Sequence, residues 1–169
     1  MSFALIYGGV VVDISSAQFP VHSGFAWEPI LAGQTVEVGY TFANGTFTGP
    51  PAPPAPTLAQ QAAAAIAAGL TITSTSTPAL NGTYAVASGV PFGREDIGTE
   101  AQFVSTFSEF TNGTTTLEWP LIDGKTFVTF PNTATFMNFA KAAAQYYAAV
   151  KAVAATGQGS FPSNQVTIP

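Results

Sequence analysis

Between Gly49 and Thr57 the chain carries five prolines in seven residues, Pro50-Pro51-Ala52-Pro53-Pro54-Ala55-Pro56. Proline lacks an amide hydrogen and has a fixed φ, so the stretch excludes both helix interior and central strand and favours an extended polyproline II spacer. The sequence therefore divides into an N-terminal module of residues 1–49, a linker of residues 50–56 and a C-terminal domain of residues 57–169. Such a spacer permits the halves either to stand apart or to fold back on one another.

The N-terminal module reads as antiparallel β structure. Phe3 to Tyr7 and Val10 to Ile14 are rich in β-branched and aromatic residues, and Gly8-Gly9 between them supplies the positive φ angles of a two-residue hairpin turn. An irregular stretch holding Pro20, His22, Gly24 and Trp27 follows. Val36, Val38, Tyr40 and Phe42 then alternate with smaller or polar partners, as in a half-buried strand, and Asn44-Gly45 turns the chain toward Phe47.

The C-terminal domain reads as mixed, making the fold class α+β. Thr57 is placed to cap a helix over Leu58 to Ala68, with Gly69 at its end; its apolar stripe is too narrow for the helix to stand alone. Thr71 to Thr75 reads as a strand that Asn81-Gly82 turns toward Tyr84 and Val86. Phe103, Val104, Phe107 and Phe110 predict a helix over Thr99 to Phe110, ended by Asn112-Gly113. Thr114 to Trp119 and Lys125 to Phe130 flank Asp123-Gly124 and predict a second hairpin. Asn132 or Thr133 caps a long final helix in which Phe136, Phe139, Ala140, Ala143, Tyr146, Tyr147, Val150 and Val153 share a face, ending near Gly157. A short strand from Gln165 to Ile168 closes the chain.

Composition narrows the chemistry. Hydrophobic residues make up 47% of the 169 and include 14 Phe, so the chain folds, yet only 8% are charged. An ordinary soluble domain carries about 25%. A surface this poor in charge suits a protein covered by neighbours. No apolar run is long enough to span a membrane, and the opening Met-Ser-Phe-Ala-Leu-Ile-Tyr-Gly-Gly reads as a strand and not a leader. With a net charge of −5 and only Arg94, Lys125, Lys141 and Lys151 as cations, there is no basic patch for nucleic acid. The lack of cysteine removes disulfides, thiolate nucleophiles and the usual structural zinc ligands.

The candidate constellations are few. Ser15 or Ser23 can be written with His22 and Asp13 as a hydrolytic triad, but no nucleophile elbow or oxyanion motif surrounds them. The plainer reading is a loop histidine satisfied by backbone or solvent. Glu95, Asp96 and Glu100 beside Arg94 form the one local charge cluster, read either as a carboxylate pair or hard-cation site, or as acids complementing a helix dipole. Trp27 and Trp119 serve either as walls of a sugar cleft or as core and interface anchors. Asn-Gly-Thr at Asn44, Asn81 and Asn112 matches the glycosylation pattern, but backbone geometry at turns explains all three. No phosphate loop or dinucleotide fingerprint occurs, and no catalytic residue, metal or cofactor is expected. The candidate interaction anchors are Trp27, Tyr40, Phe47 and Trp119.

Particular runs of residues also carry a resemblance. The opening Met1 to Ile14, with Phe19-Pro20-Val21-His22, Trp27, Gly39-Tyr40 and Asn44 to Thr48 before Pro50-Pro51, resembles the N-terminal module of small tailed-bacteriophage tail proteins. Leu70 to Tyr84, Trp119-Pro120, Asp123-Gly124 and Phe127, leading into the Phe136 to Val153 helix, are similar to an uncharacterised phage domain of tail-fibre-related and tail-fibre-assembly proteins. The resemblance implies a non-enzymatic virion part, assembled in the host cytoplasm, whose partners are other tail or fibre subunits in an oligomer or larger assembly. An assembly chaperone is the alternative it leaves open, and a carbohydrate-binding module using Trp27 or Trp119 with Glu95 or Asp96 is a further one. It brings no catalytic residues with it.

Overall fold

A computed structural model describes residues 2–169 and shows an α+β protein. The chain forms two compact units, Met1–Ala55 and Pro56–Pro169, and residues 50–56 carry no helix or strand.

The N-terminal unit is a five-stranded sheet of order β3-β1-β2-β4-β5. Strands β1 (Ser2–Tyr7) and β2 (Val10–Ser15) form the expected hairpin, with Gly8 and Gly9 at φ 58° and 79°. Strand β3 (Phe25–Ile30) pairs antiparallel with the other side of β1. The region read as irregular thus contains a strand. Pro29 argues against a central strand but is compatible with an edge, and β3 is an edge.

The strand expected over Val36 to Phe42 shrinks to β4 (Thr41–Ala43), which Asn44 and Gly45 connect to β5 (Thr46–Thr48). Gly39 lies at φ 94°, outside the strand region, and the chain turns there, with the Tyr40 amide donating to the Glu37 carbonyl. Alternation of side chains over 36–42 therefore reflects an irregular loop that sends Val36 and Tyr40 toward the core while Val38 stays exposed.

In the C-terminal unit, α1 (Leu58–Ala67) begins at Thr57, whose side chain accepts from the Gln60 amide while Gln60 reaches back to the Thr57 amide. The support that this helix needs comes from α3 (Thr133–Thr156): Ala62 is buried in the shared core and the Tyr146 hydroxyl donates to the Ala65 carbonyl at 2.8 Å. Strand β6 (Leu70–Ser74) lies between antiparallel β7 (Gly82–Tyr84) and parallel β10 (Gln165–Ile168), and β8 (Leu117–Pro120) and β9 (Phe127–Phe130) form the second hairpin.

Two local expectations change. Asn81 sits at φ −64°, ψ 124°, so Asn81-Gly82 is not a hairpin turn; the β6–β7 connection runs through a 3-10 turn at Pro78–Leu80, and Asn81 accepts from the Ser74 amide. Helix α2 covers Arg94–Phe107 rather than Thr99 to Phe110. Its N-cap is Gly93, which has no capping side chain to signal the start, and Ser108 ends it in the left-handed conformation at φ 61°. Phe110 is therefore a core residue beyond the helix.

The core is an aromatic cluster. Tyr84, Phe110, Phe130, Phe136 and Phe139 are each less than 2% exposed, with ring centroids 4.6 Å apart for Tyr84 and Phe139 and 5.2 Å for Phe130 and Phe136. The Tyr84 hydroxyl donates to the Leu80 carbonyl at 2.6 Å, and burial pushes its phenol well above the ordinary tyrosine range. Glu100 is enclosed as well, accepting from the Thr111 amide and hydroxyl.

Gly69 follows α1 at φ 77°, and a Cβ there would lie 2.6 Å from the Tyr84 carbonyl oxygen and 2.8 Å from Ile122 Cδ1. Gly69→Ala is expected to destabilise the C-terminal unit by on the order of 2–4 kcal/mol. Chemical denaturation checks this, and an unchanged midpoint contradicts it.

The Asp123 carboxylate accepts from the Thr126 amide, the Lys125 amide and the Thr126 hydroxyl, and these bonds, led by the Thr126 amide, hold its pKa below the usual aspartate range. A depressed folded pKa adds stability above the ordinary aspartate value that is lost as pH falls through the lowered one. Asp123→Asn is expected to flatten this acid limb in a series of denaturation midpoints against pH.

Candidate interaction surface

Register sorts the N-terminal sheet into two faces, because side chains alternate along each strand and directly paired residues share a side. Ala4, Ile6, Val11 and Ile14 occupy one face. With Ile30, Val36, Tyr40, Phe42 and Phe47 packed on them, they form the core of this unit. That core is small: within the cluster only Ala4, Ile6 and Val11 are fully buried. A domain of this length is near the size at which folding alone is marginal.

The opposite face is apolar along β1 and β3, while β2 contributes Asp13 and Ser15 to it. The pairs Phe3–Pro29, Leu5–Trp27 and Tyr7–Phe25 run along it in register, and Phe19 from the β2–β3 connection joins them. Tyr7 and Phe25 stack with centroids 4.7 Å apart, while Phe19 and Trp27 meet edge to face at 4.9 Å. The Trp27 indole donates to the Phe19 carbonyl at 3.0 Å, which fixes its ring while leaving it half-buried. Tyr7 is 56% exposed and Phe19 49%. The surface is thus a row of oriented aromatic rings in which Tyr7 and Phe19 are exposed, Phe25 and Trp27 are half-buried, and Leu5 is buried among them.

The four sequence-derived anchors separate by environment. Trp27 belongs to this row. Tyr40 and Phe47 are half-buried in the small core on the other side of the sheet, where Phe47 packs on Phe42 at 4.7 Å and Tyr40 lies against Gly49. Trp119 is withdrawn from the surface: it is 4% exposed, between Phe92 and Phe136, so its indole is part of the core and has no face to offer a partner. Trp119 is buried because alternation on β8 places it, with Leu117, on the inner side of the hairpin. Its Nε1 has no hydrogen-bond partner among the described residues.

Ser15, Asp13 and His22 each bond to nearby backbone. Ser15 Oγ donates to the Ala17 carbonyl, Asp13 accepts from the Ile14 amide, and His22 Nδ1 accepts from the Gly24 amide. The acidic cluster likewise serves the backbone. Glu95 and Asp96 stand in the first turn of α2 and accept from the Gly89 and Phe92 amides, and the Ser88 side chain, followed by the Gly89 amide, lowers the Glu95 pKa. Arg94 stacks over the Tyr147 ring at 4.5 Å and links α2 to α3. Asp96, Glu100 and Trp119 border one pocket of about 280 Å³, in which the indole is buried and the exposed aromatic ring is that of Phe92. Among the described residues no group of three or more His, Asp or Glu is placed to hold a metal ion.

The aromatic row was missed in the sequence because β3 was missed; without that strand, Phe25 and Trp27 have no register with Tyr7 and Leu5. The C-terminal unit has an apolar hollow of its own, about 480 Å³, bordered by exposed Val90, Phe92, Ile122 and Phe127. No described helix is long and apolar enough to cross a membrane. Comparison of the chain with protein-family models, with curated proteins and with solved structures identified no match.

The two tryptophans give a spectroscopic check of this assignment. Trp119→Phe leaves Trp27 as the sole indole, and its fluorescence is expected to be quenched several-fold more efficiently by iodide than that of Trp119 in Trp27→Phe. Equal quenching would contradict the placement of Trp27 on an open face.

Proposed function

We propose that the protein is a structural component of a tailed-bacteriophage virion that links or decorates tail or tail-fibre parts through protein–protein packing. The observation that carries this reading is the open aromatic row of Tyr7, Phe19, Phe25 and Trp27 on a unit with only a small enclosed core. Each aromatic side chain has roughly 150–250 Å² to bury, and covering such rings is the dominant contribution at many protein interfaces. Tyr, Trp and Phe are enriched and charge is depleted at the centre of such contacts, which matches a chain with 8% charged residues. A partner seated on this face stabilises the N-terminal unit by completing a second apolar layer. The resemblance of the chain to phage tail modules supplies the setting, and a proline-rich spacer between two separately folded units suits a part that grips two neighbours.

Mass spectrometry of purified virions is expected to find the chain at fixed stoichiometry. Accumulation in infected cells with absence from finished particles would replace this reading with that of an assembly chaperone. Tyr7→Ser combined with Trp27→Ser is expected to abolish incorporation while the helix signal of the C-terminal unit persists. Deletion of residues 50–56 is expected to impair assembly with both units still folded, and normal particles from either variant would overturn the assignment.

A further inference from the structure

The chain repeats Asn-Gly-Thr three times, at Asn44, Asn81 and Asn112. An Asn-Gly pair can modify itself, because the unhindered glycine nitrogen is able to attack the preceding side-chain amide. The Asn-Gly-Thr triplet is the same at all three places, so the intrinsic reactivity is closely matched and the fold sets the order of reaction.

Two of the pairs are held. Asn81 Oδ1 accepts from the Ser74 amide at 2.7 Å, and Gly82 is fixed in β7 opposite Ile72, with the Leu121 side chain against it. Asn112 is bound at both ends of its amide: Oδ1 accepts from the Thr114 amide and hydroxyl, and Nδ2 donates to the Thr116 carbonyl. The attacking nitrogen of that pair, Gly113 N, already donates to the Phe110 carbonyl at 2.9 Å.

Asn44 differs on every count. It is exposed at the tip of the β4–β5 turn with φ 52°, followed by Gly45 at φ 76°. Neither its side chain nor the Gly45 nitrogen makes a hydrogen bond among the described residues. The hairpin around it has three residues per strand and lies at the edge of the sheet; one ladder pair, Val10–Thr41, joins it to β2, and the Phe42 amide donating to the Gly9 carbonyl and the Val11 amide donating to the Tyr40 carbonyl hold its base, away from the tip. Opening such a turn far enough for attack requires only local unfolding.

We infer that Asn44 is a site of spontaneous backbone modification, converting to aspartyl and isoaspartyl forms in the folded protein while Asn81 and Asn112 are protected. The deprotonated Gly45 nitrogen forms a bond to Asn44 Cγ, the Cγ–Nδ2 bond breaks, and ammonia leaves with the proton. Water then opens the resulting succinimide at either carbonyl. The sum is an amide and water giving a carboxylate, a proton and ammonia, so no oxidant, reductant or enzyme is needed. The isoaspartyl product adds a methylene to the backbone of a two-residue turn and adds a negative charge beside it. Its register strain falls on the Phe42–Phe47 pair, which covers the small N-terminal core.

The experiment incubates the full chain in mildly alkaline buffer, folded and in concentrated urea, and maps products by peptide mass spectrometry with protein isoaspartyl methyltransferase as the label for the isoaspartyl form. In the folded protein Asn44 is expected to convert at least about tenfold faster than Asn81 or Asn112. In urea the three are expected to convert at rates within a factor of about two, since each then samples open conformations. Comparable conversion of all three in the folded chain, conversion led by Asn81 or Asn112, or unequal rates in urea that reproduce the folded order would each overturn the inference.

Discussion

No hydrogen-bonded ladder and no helix can pass through residues 50–56, because five of the seven backbone nitrogens there carry no proton. Each side must therefore close its own backbone hydrogen bonds. The C-terminal side has 114 residues, from Pro56 to Pro169, and a 24-residue helix to do this with. Its α3 sets Phe136 and Phe139 against Tyr84, Phe110 and Phe130, and the other elements gather around those rings. The N-terminal side has one sheet and no helix to lay across it. A single sheet has two faces, and the short β4–β5 hairpin and the loop before it cover only one. The open aromatic row is the geometric remainder of that shortage.

The scarcity of charge acquires a second meaning once the polar groups are followed individually. Glu95, Asp96, Glu100 and Asp123 all accept hydrogen bonds from backbone amides, and Thr57 and Asn132 cap helices. Polar side chains here chiefly terminate and brace the backbone, because a chain rich in short loops leaves many amides without ladder partners. The same economy explains why Asn-Gly-Thr recurs with different roles: a hairpin tip at Asn44, a brace for β6 at Asn81, and a bound loop at Asn112. The difference in hydrogen bonding, not in sequence, gives one of them freedom to react.

Elements dominated by local chemistry were legible in the amino-acid order. Gly8-Gly9, Asn44-Gly45 and Asp123-Gly124 marked their hairpins, Thr57 and Asn132 marked helix starts, and Gly157 marked the end of α3 at φ 69°. Where local signals conflict with tertiary placement, the amino-acid order misleads. Pro29 hid β3, since proline is unfavourable within a sheet unless the strand is an edge, and only the assembled sheet shows which strand is an edge. Gly93 hid the start of α2, since a glycine cap leaves no side-chain signature.

The amino-acid order alone determined the α+β class, most turns and caps, the proline interruption and the shortage of ionisable groups, because these depend on backbone preferences and composition within a few residues. Only the tertiary structure decided which face of each strand is covered. It moved Trp119 into the core, left Trp27 on an open sheet face with Tyr7 and Phe25, and placed Tyr40 and Phe47 on the other side. Burial is a relation between segments distant along the chain, and periodicity shows that two faces differ without showing what lies against either.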